Sequence, residues 1–147
     1  MFQKLFSGKI KMTFKTITGS PIATTDDTQP FKNAEEAWFW FIQAQTARNE
    51  GAKIMAGAGL TPRPCEPVDI IKSLERLYRA RLVTMDHVMI LRHYGQRLMS
   101  PDPRRQKEAR AHSLWREALE RLEEILIAKR IVVKPHWIKL VSNNDDR

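Results

Sequence analysis

The residues that could do chemistry are four histidines, one cysteine and a cluster of glutamates late in the chain. His87 and His93 lie six apart, on roughly opposite faces of a helix, and His112 and His136 are isolated. A metal site needs ligands that converge, so neither a metal nor another cofactor is expected. Each histidine is expected at the surface or its boundary. Cys65 follows Pro64 with no histidine close in sequence to deprotonate it, which argues against a nucleophile. Glu117, Glu120, Glu123 and Glu124 lie off the apolar positions of their helix, and Glu117 precedes Arg121 by the favourable four residues. That is a solvated face, not a carboxylate pair for acid–base work. Gly51, Gly57 and Gly59 lack the spacing and the Lys-Ser/Thr ending of a phosphate-cradling loop. No enzyme is expected.

The cations are more informative. Arg104, Arg105, Gln106, Lys107, Glu108 and Arg110 form a stretch that is polar all round, ahead of an apolar stripe starting at Ala111. Two helical turns without an apolar face cannot dock on a core, so they should project from it. Asp102 followed by Pro103 predicts a helix starting there, which places Arg104, Arg105 and Lys107 at the positive end of its dipole. Helix N-termini and arginines both favour phosphate. Lys72, Arg76 and Arg79 fill the polar side of an earlier helix. The whole chain carries 25 Lys and Arg against 17 Asp and Glu, a net of +8. An excess of that sign suits a polyanionic partner.

These groups need elements to hold them. Asn33, with Glu36 three residues on, announces a helix over 34–50 that carries Trp38, Phe39, Trp40, Phe41 and Ile42. A helix apolar on several sides is buried on several sides, in its own domain or against another chain. A stiff Pro-rich connector at 60–67 leads into a second helix over 68–81. Its stripe is Ile70, Ile71, Leu74, Leu77 and Tyr78. Thr84 caps a third helix over 85–94 with Gly95 as its stop, and the fourth runs from Pro103 to about Lys129. Helices two and three are expected only two or three residues apart, a helix–turn–helix-sized join. Residues 9–18 alternate lysine or threonine with Ile10, Met12 and Phe14, as a short strand would, inside a flexible basic arm and linker spanning 1–32. The helical domain is expected over 33–130, followed by a tail over 131–147 with extended stretches at 131–133 and 137–141.

At 147 residues with 42% apolar and 29% charged, the chain has the size and balance of one globular domain. Its longest apolar run, 37–42, is far below the roughly 20 residues of a membrane span. No secretory signal is expected, because lysines interrupt the N-terminal apolar stretch. One cysteine makes no internal disulfide, and a reducing, cytoplasmic setting is the expectation.

Val88–Gly95 (V-M-I-L-R-H-Y-G) and Leu114–Leu126 (L-W-R-E-A-L-E-R-L-E-E-I-L) resemble the framework of sigma-factor region-four-like helix–turn–helix domains, shared by phage late antiterminators. The resemblance covers about a third of the chain. Where that family carries a short helix and a Gly-containing turn, this chain has Q-R-L-M-S-P-D-P-R-R-Q-K. The resemblance implies a DNA-binding transcriptional regulator, with Arg104, Arg105, Lys107 and Arg110 as the groove- or phosphate-facing residues. Lys72, Arg76 and Arg79 would add backbone contacts that position the duplex without reading its sequence. The expectation is therefore an all-α, four-helix domain with a helix–turn–helix-like core. Its partner is expected to be nucleic acid, DNA before RNA, and a homodimer is open. The rival readings are an adaptor or homodimer docking through Trp38, Phe39, Trp40 and Phe41, and an RNA-associated factor using the lysine-rich arm.

Overall fold

The computed structural model describes residues 28–49 and 62–134. Among them are four α-helices: α1 Ala34–Asn49, α2 Pro67–Arg79, α3 Met85–Gln96 and α4 Ala109–Ala128. A 3-10 turn, Gln106–Glu108, precedes α4, and no strand occurs among the described residues. The domain is all-α, as expected. The strand expected at 9–18, the exit of the first helix through Gly51, Gly57 and Gly59, and the stretch at 137–141 lie outside the described residues.

Local side chains set the helix starts. Asn33 Oδ1 accepts the Glu36 N–H at 2.8 Å, and Glu36 Oε2 accepts the Lys32 N–H at 2.7 Å. That is the reciprocal pattern expected at α1, shifted by one residue on its return leg. Pro67 opens α2, where a missing N–H costs nothing, and Asp69 Oδ2 accepts the Glu66 N–H at 2.8 Å. At α3 the Thr84 N–H donates to His87 Nδ1 at 3.0 Å.

Helix ends depart from expectation. Gly95 does not stop α3; it lies inside the helix, buried against α1. Instead α2, α3 and α4 each end on a residue with positive φ: Arg81 at 60°, Leu98 at 51° and Arg130 at 63°. In each case the next N–H reaches back five residues: Leu82 to Leu77, Met99 to Tyr94, and Ile131 to Leu126. This is the Schellman termination, made without the glycine that normally occupies the left-handed position.

The start of α4 is the larger correction. Asp102 caps a turn rather than an α-helix: its Oδ1 accepts the Arg104 N–H at 2.9 Å, and its carbonyl accepts the Arg105 N–H at 3.2 Å. Glu108 Oε2 then reaches back to the Asp102 N–H at 2.8 Å and closes the segment. Residues 103–108 are thereby wound into a turn and a 3-10 element, and α4 starts at Ala109.

α4 touches the other three helices, through Trp115, Ala118, Leu119, Leu122 and Leu126, and so does α1. α2 and α3 are joined by residues 80–84, a longer link than expected, and make hardly any contact with each other; each packs on α1 and α4. Phe31 and Val132 form a parallel bridge, with Phe31 N–H to Ile131 O and Val133 N–H to Phe31 O, both at 2.9 Å. Phe31, Ile131 and Val132 are buried, so the core includes residues on both sides of the four helices.

Trp38, fully buried, donates its indole N–H to the Leu91 carbonyl at 2.9 Å. A Cβ on Gly95 would lie 2.7 Å from that indole nitrogen and 3.0 Å from Ile42 Cγ1. Gly95→Ala gains helix propensity of about 1 kcal/mol, but it must push α1 from α3. Overpacking of this kind costs about 1–3 kcal/mol, so a net loss is expected. Thermal unfolding should show Gly95→Ala melting below wild type; an equal or higher Tm would mean that α1 moves away freely.

Candidate nucleic-acid interface

Arg104, Arg105, Lys107 and Arg110 are all exposed, as expected, though on a closed turn and the first residues of α4 rather than along a projecting helix. Arg105 lies 3.9 Å from Asp102 Oδ2 and 3.5 Å from Glu108 Oε1. Arg110 lies 3.8 Å from Asp86 Oδ2, where both side chains are more than two-thirds exposed. Exposed pairs at such distances contribute at most about 1 kcal/mol. A phosphate can displace them. The side chains of Arg104 and Lys107 make no ion pair among the described residues.

Lys72, Arg76 and Arg79 lie on the exposed face of α2, at i, i+4 and i+7. Arg79 pairs with Glu75 at 2.8 Å, while Lys72 and Arg76 have no ion pair among the described residues. No hydrogen bond or ion pair joins α2 to the 103–110 segment among the described residues. What relates them is the 80–84 link, which carries exposed Arg81 and leads into Asp86, the partner of Arg110. Arg121 of α4 donates its Nη1–H to the Leu82 carbonyl in the same link. Arg81 belongs to the basic excess of the sequence, whereas Asp86 and Arg121 were not expected here. Arg121 had a sequence signal, its spacing from Glu117, and that signal pointed elsewhere.

The aromatic residues proposed for docking are corrected. Trp38 and Phe41 are fully buried in this chain's own core, so they offer no surface to a partner. Phe39 and Trp40 are half-buried; their rings lie 5.7 Å from Trp115 and 5.2 Å from Phe31. α1 is apolar on several sides because α2, α3, α4 and the Phe31 segment each cover one.

His87 is also corrected: it is 5% exposed and belongs to the interior. Because the Thr84 N–H points at Nδ1, that nitrogen holds the lone pair and Nε2 carries the proton. Nε2 then donates to Glu117 Oε2 at 2.9 Å, so Glu117 binds His87 rather than pairing with Arg121. Thr84 Oγ1 lies 2.8 Å from the same Nδ1. Glu120 pairs with Arg116 at 3.5 Å. Glu123 is half-buried; burial pushes its carboxyl up, while the Ala34 N–H at the start of α1 draws it down. Among the described residues no three of His, Cys, Asp and Glu group to hold a metal, and no helix is long and apolar enough to cross a membrane. No family model, curated protein or solved structure matches the chain.

Two titrations give checks. Burial, reinforced by the negative charge of Asp69, pushes the Cys65 thiol up to about 12. The thiol therefore stays protonated in mildly alkaline buffer, and a disulfide reagent should modify it roughly a hundredfold or more slowly than after unfolding. Prompt reaction in the native state would contradict this burial. The hydrogen bond from His87 holds the Glu117 carboxyl below its ordinary 4.5. A carboxyl held low stabilises the fold above its unfolded pKa and ceases to do so as pH falls through its folded one. Glu117→Gln should therefore melt below wild type near neutral pH, with the deficit closing below pH 4.5. A deficit of constant size across the acid range would remove the carboxylate's charge from the account.

Proposed function

We propose that this protein binds DNA through the phosphate backbone and acts as a transcriptional regulator in the cytoplasm. The observation that carries the reading is the closed turn at 102–108, which holds Arg104 and Lys107 exposed and without a carboxylate partner among the described residues. Arg105 and Arg110 flank them in weak, exposed pairs. A turn braced at both ends holds its cations in place, which lowers the entropy lost on binding. Lys72, Arg76 and Arg79 extend the basic surface along α2. Because residues 104–108 are not α-helical, the reading is limited to phosphate contacts, which fix position, and assigns no residue to base edges.

Affinity for a random-sequence duplex, measured by fluorescence anisotropy against salt, tests it. Each neutralised phosphate adds about −0.9 to the log–log slope, so a steep decline is expected. Arg104→Glu combined with Lys107→Glu should weaken binding at every sequence and flatten the slope by roughly 2. Circular dichroism should stay unchanged, since neither side chain supports the fold. Binding indifferent to salt, or to both substitutions, would overturn the proposal. A clear preference for double-stranded RNA of equal length would move it to the RNA reading.

A further inference from the structure

The link between α2 and α3 and the outer face of α3 expose a cluster of apolar side chains. Leu82 is 51% exposed, Met85 36% and Met89 45%. Met85 and Met89 are one helical turn apart and share a face of α3, and Leu82 lies in the link that leads into them. Beside them a hollow of about 500 Å³ opens between the end of α2 and the start of α3. Tyr78, Val83 and Met85 give it apolar walls, and Arg79 and Arg81 give it a cationic rim.

The charges around the patch are unbalanced. Glu75 pairs with Arg79 and Asp86 with Arg110, while Glu117 keeps its charge, which acts on Arg121. Arg81 has no ion pair among the described residues. Arg81 is also held at φ 60°, where glycine would be at lower energy, so the link carries an exposed cation at a conformational cost. Methionines adapt their shape to a ligand's apolar side chains. The exposed Arg81 beside them, on the rim it shares with Arg79, selects against a basic ligand and for an acidic one.

We infer that Leu82, Met85 and Met89 dock an acidic amphipathic helix of another protein, its apolar side chains on the methionines and its carboxylates on Arg81 at the rim of the hollow. The surface does not use Arg104 or Lys107, so Arg104→Glu with Lys107→Glu tests the DNA reading and leaves this surface in place.

The test uses the full chain with 13C-labelled methionine methyl groups. The probe is a short helical peptide with Leu and Phe along one face and Glu flanking them. Its control is the same peptide with Lys in place of Glu. The acidic peptide should shift the Met85 and Met89 methyl signals along a saturable curve, and the basic one should not. Met89→Glu and Arg81→Glu should each weaken binding about tenfold or more, with thermal unfolding of both variants close to wild type. No saturable shift, or equal binding of the basic peptide, overturns the inference. So do methyl shifts that follow protein concentration without peptide, which mark a second copy as the occupant, or the same shifts produced by duplex DNA.

Discussion

The crossing of α1 over α3 depends on one tryptophan fitting against one glycine. Trp38 is the largest side chain with no exposure at all, and its only polar atom is answered by the Leu91 carbonyl. An indole N–H buried without an acceptor costs about 1–3 kcal/mol, so the ring is held at that carbonyl as well as being packed. Gly95, one turn beyond Leu91, leaves the space that the ring fills. With α1 fixed there, α4 can lay Trp115, Leu119 and Leu122 into the gap between α1 and α3. The 102–108 turn is in turn positioned by where α4 begins. A side chain at position 95 would therefore disturb a surface that it never touches.

Acids and bases are used differently in this fold, and that explains its surface better than net charge does. Carboxylates answer backbone or ring N–H groups of their own chain. Glu36 holds Lys32 N–H, Asp69 holds Glu66 N–H, Glu108 holds Asp102 N–H, and Glu35 holds the Trp115 indole at 3.2 Å. These bonds occupy carboxylate oxygens without removing their charge. Arginines have no acceptor capacity and cannot answer an N–H group. Arg81, Arg104, Arg105 and Arg110 stay exposed. The same asymmetry brings out both the basic turn at 102–108 and the arginines beside the methionine patch.

Much of the fold was legible in single residues and periods. Asn33 with Glu36, Pro67, Thr84 and the stripes of α2 and α4 act within a few residues of themselves, and they form the elements their spacing predicts. The misreadings have a common physical origin in partners distant along the chain. Asp102 followed by Pro103 looks like a helix start until Glu108, six residues on, takes the Asp102 N–H. Gly95 looks like a stop until Trp38, on another helix, requires its missing side chain. His87 looks like a boundary residue until Glu117, thirty positions away, accepts its proton-bearing nitrogen. The chain reversals at Arg81, Leu98 and Arg130 had no glycine to announce them. The basic site was legible as a set of residue types and not as a shape.

The two surfaces proposed for ligands share no residue, yet they meet at one ion pair. Arg110 belongs to the basic segment and Asp86 lies between Met85 and the rest of α3, with 3.8 Å between their charged atoms. A phosphate that draws Arg110 away leaves the Asp86 carboxylate exposed beside the methionines. A full negative charge at a few ångströms in surface dielectric acts on an acidic ligand with an energy on the order of 1 kcal/mol or more before salt screening. The effect is repulsive in both directions, since a carboxylate-bearing ligand near Asp86 strengthens the hold of Asp86 on Arg110. If a polyanion binds the turn and an acidic helix binds the methionines, the two oppose each other by electrostatics alone, without any movement of the four helices.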